Sequence, residues 1–147
     1  MSDLAFASAT ELAGRIKRKE ISATEILELY LQRVDQFNPE INAVVVDIRD
    51  QARTRALEID AALAKGEDPG PLAGVPMTIK ESYNLAGTPT TYGNPEWRDN
   101  IAAEDAESVK RLKSIGLNVF GKTNVPLSLA DFQSYNEVYG TTNNPYD

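Results

Sequence analysis

At 147 residues, 41% hydrophobic and 25% charged, the chain can bury one core of ordinary size, which excludes a disordered or collagen-like polypeptide. Its formal net charge of -7 argues against a nucleic-acid surface, where affinity comes largely from clustered Lys and Arg. With no histidine and no cysteine, the commonest general base and a common acyl nucleophile are both missing, disulfides and thiolate metal sites are excluded, and no cofactor or metal is expected.

The N-terminus lacks a basic region followed by an apolar run, and no segment approaches the roughly 20 apolar residues that span a bilayer, so a cytoplasmic protein without membrane association is expected. Ser8 and Glu11 have capping-box spacing, and Leu12 and Ile16 begin an apolar face that runs out at Lys19, predicting a short first helix. Ser22 and Glu25 repeat the box ahead of Ile26, Leu27, Tyr30, Leu31, Val34 and Phe37, a helix that Asn38-Pro39 should stop. Ile41 to Val46 is a β-branched run too short for a helix. Asp47 to Lys65 resumes the helical beat through Ile48, Ala52, Ala56, Ile59 and Leu63, with Gly66 as its cap. The stretch 66–74, GEDPGPLAG, reads as a loop or internal boundary.

Beyond it the period changes. Val75 to Ile79 reads as a buried strand, Thr88 to Pro95 as a turn-rich loop, Glu104 to Gly116 as a helix with Asp105 as N-cap, and Leu117 to Phe120 as a second strand. Strand, helix and strand make a unit whose strands would be parallel and joined by a right-handed crossover. The fold class is α/β: N-terminal helices over 1–66, then, over 67–147, the first strands of a mixed sheet flanked by helices.

Four features could carry chemistry. Gly116 with Gly121-Lys122-Thr123 matches the phosphate-loop pattern, but a helix precedes the first glycine, the intervening residues form a strand, and Pro126 follows, so the anion-binding helix start is absent. Glu104, Asp105 and Glu107 could pair as acid and base or bind a hard cation, yet negative charge in a helix's first turn explains them. The run 121–147 is rich in Asn, Thr, Ser, Tyr and Gly and is long for a loop without secondary structure, which allows either a pocket or an ordinary surface. Lys80 ends the apolar strand. Solvated lysine at a strand end is common, but a buried one could serve as a base, because desolvation disfavours its charged form.

The segments PLAGVPMTIK at 71–80, GTPTTYG at 87–93, AEDAESVKRLKSIGLNVFGKTN at 103–124 and YGTTNNPYD at 139–147 together resemble the amidase signature family. That resemblance implies an incomplete amidase signature fold and cleavage of carboxylic amides, or their use as ammonia donors, by a Ser, cis-Ser, Lys triad in which Lys80 is the lysine. It also places Leu129 and Asp131 where the family lines the acyl pocket, and a small-molecule amide as substrate. Leu127 stands where aminoacyl-tRNA amidotransferase subunits carry an acidic residue, which favours general amidases and an apolar or aryl acyl group.

The Gly-Gly-Ser-Ser-Gly-Gly segment expected a few residues after the NP-aromatic-D sequence is not among these 147 residues, and Ser82, Ser108, Ser128 and Ser134 lie in no glycine-rich setting that could supply oxyanion donors. The reading is therefore the front part of an amidase, inactive alone and completed by downstream sequence or a second chain. The alternatives are a non-catalytic binding module on the same fold and a fragment of an amidotransferase subunit. An interrupted sheet would leave an unpaired edge through which a homodimer could form.

Overall fold

The computed structural model describes Ser2–Tyr146. Helix α1, Ala9–Lys17, starts at Ser8, whose side chain accepts the Glu11 N–H, and turns Leu12, Ala13 and Ile16 inward. It ends with Lys19 in the left-handed region at φ 60°, while the Glu20 and Lys19 N–H groups close on the Arg15 and Ile16 carbonyls. Helix α2, Ala23–Ile41, carries the full capping box: Ser22 Oγ accepts the Glu25 N–H at 3.0 Å and the Glu25 carboxylate accepts the Ser22 N–H at 2.9 Å. Its remaining first-turn donors, the N–H groups of Ala23 and Thr24, go to the Asp60 carboxylate at 2.7 and 3.1 Å.

Pro39 does not stop this helix. Proline removes its own donor and crowds the carbonyl four residues back, but only the last turn lies beyond it, and the Asn42 N–H still closes on the Asn38 carbonyl at 2.7 Å. Termination comes instead from Asn42, at φ 55°, and from the Asn38 side chain, which accepts the Ala43 and Val44 N–H groups and donates to the Val44 carbonyl.

Strand β1, Val44–Asp47, takes the residue expected to open the next helix, and α3 is Arg49–Ala64. It buries Ala52, Ala56, Ile59 and Leu63 as the apolar period requires. Gly66 at φ 82° then completes a Schellman closure, with the Gly66 N–H on Leu63 O and the Glu67 N–H on Ala62 O. Strand β2 is Pro76–Lys80, helix α4 Glu107–Ser114, strand β3 Asn118–Thr123, and a hairpin of β4, Tyr135–Asn136, with β5, Gly140–Thr141, follows.

Helix α4 is shorter than the pattern implies. Glu104 lies outside it and reaches Lys110 at 2.8 Å, and Asp105 accepts the Ala86 N–H at 2.8 Å. Gly116, at φ 94°, ends the helix in a second Schellman closure, with its own N–H on Lys113 O and the Leu117 N–H on Leu112 O. The run 121–147 is likewise less irregular than its composition suggests, since it holds the end of β3, a 3-10 turn at Leu127–Leu129 and the hairpin.

The main sheet has the order β1-β3-β2. β1 is antiparallel to β3, pairing Val46 with Lys122 and Asp47 with Gly121. The Asn118 N–H meets Val75 O and the Glu81 N–H meets Thr123 O, so β2 and β3 run in the same direction and the sheet is mixed. Gly121 is fixed by this pairing, because a Cβ there would lie 2.8 Å from Val44 Cγ1 and 2.9 Å from the Val46 carbonyl.

Two compact units, both discontinuous in sequence, divide the chain. The first is Met1–Arg33, Ile48–Met77 and Arg111–Phe120, with an aliphatic core that includes Leu12, Ile16, Ile26, Leu27, Leu31, Ile59 and Val75. The second is Val34–Asp47, Thr78–Lys110 and Gly121–Asp147. Its core is mixed: beside Ile79, Leu85, Val109 and Val125 it buries Glu81, Thr88, Thr90, Thr91, Lys122, Asn124 and Asn136. Among the described residues no helix is long and apolar enough to cross a membrane.

Candidate active site

Every residue singled out for chemistry, apart from those of the phosphate-loop pattern before Gly121, falls in the second unit. At the end of β2 the side chains alternate. Ile79 is buried, Lys80 is exposed, and Glu81, the next residue, is fully buried. Lys80 thus stands at the end of its strand as expected, but within these residues it is not desolvated; period two turns it to the open face and Glu81 to the core.

The desolvated lysine is Lys122, on β3. Its ammonium donates to the Pro89 carbonyl and, at 3.0 Å, to Thr90 Oγ1. Burial pushes its pKa down to about 8, against the attraction of the Glu81 carboxylate. Glu81 accepts the Thr91 N–H at 2.6 Å, the Tyr92 N–H at 3.1 Å and the Tyr139 hydroxyl at 3.0 Å. Burial pushes the Tyr139 phenol up to about 12. These two charged side chains hold the loop 89–92 from both ends, with Tyr92 left-handed at φ 52° and edge-on to Trp97 at 5.6 Å between ring centroids. Because Lys122 lies within a strand and is enclosed, the phosphate-loop pattern forms no anion cradle here.

Leu129 lies in a tight turn and Asp131 follows it. Ser128 and Leu129 are both left-handed, at φ 53° and 62°, and the Ser128 N–H donates to Tyr92 O at 2.8 Å. Leu127 and Leu129 are exposed, 50% and 38%, and so present apolar surface rather than core. The Asp131 carboxylate is held below its ordinary range by the Gln133 and Phe132 N–H groups, with the Tyr135 hydroxyl adding at 3.2 Å. A cleft of about 500 Å³ is lined by Leu127, Ser128, Tyr135, Asn136, Glu137 and the 93–96 segment, and not by Lys80, Leu129 or Asp131.

Much of the polar composition of 121–147 is spent on backbone. Asn136 donates to Asn124 Oδ1 and Val125 O while accepting the Val138 and Tyr139 N–H groups. The Thr142 hydroxyl donates to the Asn42 carbonyl just past α2, and the Asn143 side-chain amide and backbone N–H satisfy the Glu40 and Ile41 carbonyls at its end. Of the serines, Ser82 and Ser134 are half-buried and Ser108 and Ser128 exposed. The sequence pattern singles out neither Glu81 nor the burial of Lys122. For Glu81 the available signal was the alternation carried one residue past β2; β3 is buried at every position from Asn118 to Lys122, so no alternation marks Lys122.

Buried Glu81 and Lys122 thus grip a loop beside a strand-end lysine, and an exposed apolar turn hangs from that loop. Comparison with known proteins gives the family of the chain. The Amidase family model matches residues 25–147, and the chain belongs to the amidase signature family. It is 42% identical to the acylamidase of Rhodococcus erythropolis over 98% of its length, which is 30% of that protein. It is 37% identical to a glutamyl-tRNA(Gln) amidotransferase subunit of Acidothermus cellulolyticus over its whole length, or 29% of that relative. Among solved structures, a fatty acid amide hydrolase superposes with a TM-score of 0.93 at 28% identity, covering 98% of this chain and 26% of the other. The chain spans about 30% of the length of the curated relatives it matches.

Proposed function

We propose that this chain is the front part of an enzyme that hydrolyses carboxylic amide C–N bonds, with Lys80 as the proton relay of a Ser, cis-Ser, Lys triad. The observation that carries this reading is the position of Lys80. It closes β2 on the open face of the strand, inside a segment over which the family match runs from 25 to 147. In the proposed reaction Lys80 takes a proton through the cis-serine from the nucleophilic serine, whose oxygen attacks the amide carbonyl. The C–N bond then breaks, the amine leaves with the returned proton, and water releases the acyl group.

Both serines come from sequence outside these 147 residues, so the isolated chain is inactive. Lys80 is exposed here, so in this reading the burial that favours a neutral lysine is supplied by sequence outside these residues. Exposed Leu127 and Leu129 support an apolar or aryl acyl group over a free amino acid amide. The test uses the full-length protein that contains this chain: Lys80→Ala should lower turnover of an aryl amide by at least about 100-fold with the fold retained, and unchanged turnover would remove Lys80 from the mechanism. Turnover by the 147-residue chain alone would show that its nucleophile lies inside it. A strong preference for glutamine as amide donor would favour the amidotransferase branch instead.

A further inference from the structure

Glu81 has no part in that mechanism, yet it is fully buried and its carboxylate ties three separate segments together. One oxygen accepts the Thr91 N–H and the Tyr139 hydroxyl, and the other accepts the Tyr92 N–H. Tyr92, held left-handed at φ 52°, turns its carbonyl to the Ser128 N–H at 2.8 Å, and Ser128 and Leu129 are the two left-handed residues of the next turn. Non-glycine residues in this region are strained and persist only where neighbours over-determine them. Tyr92, Ser128 and Leu129 therefore need an anchor, and Glu81 is the buried charge at the root of the chain of bonds that joins them. We propose that Glu81 is a positioning residue for acyl-group recognition: it locks the Tyr92 turn and, through the Tyr92 carbonyl, holds the Ser128–Leu129 turn in register with Lys80, its own neighbour in sequence.

This rests on the amidase reading for the meaning of the turn, but not for its mechanics. The geometry explains why a carboxylate is needed. A glutamine amide offers one acceptor oxygen, so in Glu81→Gln an N–H must face either the Tyr92 donor or the Thr91 and Tyr139 donors. Amide hydrogen exchange of the full-length protein should show the Tyr92 and Ser128 amides exchanging at least about tenfold faster in Glu81→Gln, while Gly74 and Ile48, bonded to Gly116 and Phe120, stay as they were. Loss of protection at Tyr92 with Ser128 unaffected, or at neither, overturns the proposal.

The kinetic arm compares an aryl-acyl amide with acetamide. KM for the aryl substrate should rise about tenfold or more with kcat within a few-fold, and acetamide should be little changed. Equal losses on both substrates would make Glu81 a general structural residue and overturn the proposal. Where Glu81→Gln does not fold, Glu81→Asp keeps the charge opposite Lys122 but is one methylene short of Thr91 and Tyr92. It should give the same pattern, and unchanged exchange and KM in that variant are decisive against the idea. If the wild-type protein cleaves no amide, or Lys80→Ala remains active, the amidase reading fails while the exchange arm still decides the role of Glu81.

Discussion

Lys122→Met tests whether a fully buried lysine holds the loop 89–92 at the expense of its own charge. The side chain is 0% exposed, and its ammonium is bonded to the Pro89 carbonyl and Thr90 Oγ1. With the pKa lowered from 10.5 to about 8 in the folded chain, the unfolded chain binds more protons at pH values between those two, so stability must rise with pH there. Integrating the proton difference from about pH 7 to about pH 9.5 gives a wild-type gain of about 2 kcal/mol. Methionine fills a similar volume without a charge, so the variant should show no such rise. At neutral pH two opposing effects nearly offset: the variant sheds the cost of holding a buried charge, about 3 kcal/mol, and leaves two oxygens without a donor at about 1–3 kcal/mol each, so the pH slope is the readout. Urea unfolding of the 147-residue chain can be followed by the fluorescence of Trp97, its single tryptophan, which lies in the same unit as Lys122. Readings should stop near pH 9.5, because burial pushes the Tyr139 phenol up to about 12, and above about pH 10 the unfolded chain loses a proton the folded one keeps, lowering stability. A flat wild-type profile, or an equal rise in Lys122→Met, would refute a charge confined by burial.

Two glycines with similar backbone angles should respond differently to alanine. Gly66→Ala, at φ 82° with no atom within 4 Å of the added Cβ, should cost about 1 kcal/mol, whereas Gly116→Ala, at φ 94° with Ala73 Cα 2.7 Å and the Pro69 carbonyl 2.8 Å from that Cβ, should cost about 3 kcal/mol or more in the same urea assay. Ser22→Ala removes the Oγ that accepts the Glu25 N–H and should lower stability by about 1 kcal/mol, measured as a lower denaturation midpoint at unchanged slope. Lys80→Ala should leave that midpoint within about 0.5 kcal/mol, since an exposed strand-end side chain buries nothing; a larger loss would mean that Lys80 already packs within these residues.

The helices were legible because their signals are local. Ser8 and Ser22 with glutamates three residues on, and Gly66 and Gly116 after the last apolar turns, mark ends whose bonds are made within a few residues. Pro39 misleads because only the last turn lies beyond it, whereas the end of α2 is set by Asn38 and Asn42, which reach residues 43–44 and 139–141. The Asn- and Thr-rich run was open between pocket and surface for the same reason. Its side chains serve carbonyls about 100 residues away, at Glu40 and Asn42, and no local pattern records that.

For the site, the family and the position of Lys80 at the end of a strand followed from residue order alone. Which lysine loses its water did not. Lys80 and Lys122 both stand in or at the end of apolar strands, and only the pairing of β2, β3 and the loop 89–92 puts the first on an open face and encloses the second beside Glu81. A sequence carries propensity and period, which decide what a segment becomes and which of its residues share a face. Burial is a property of what packs on that face, and here it is supplied by segments tens of residues distant, so the electrostatics of this site belong to the tertiary structure.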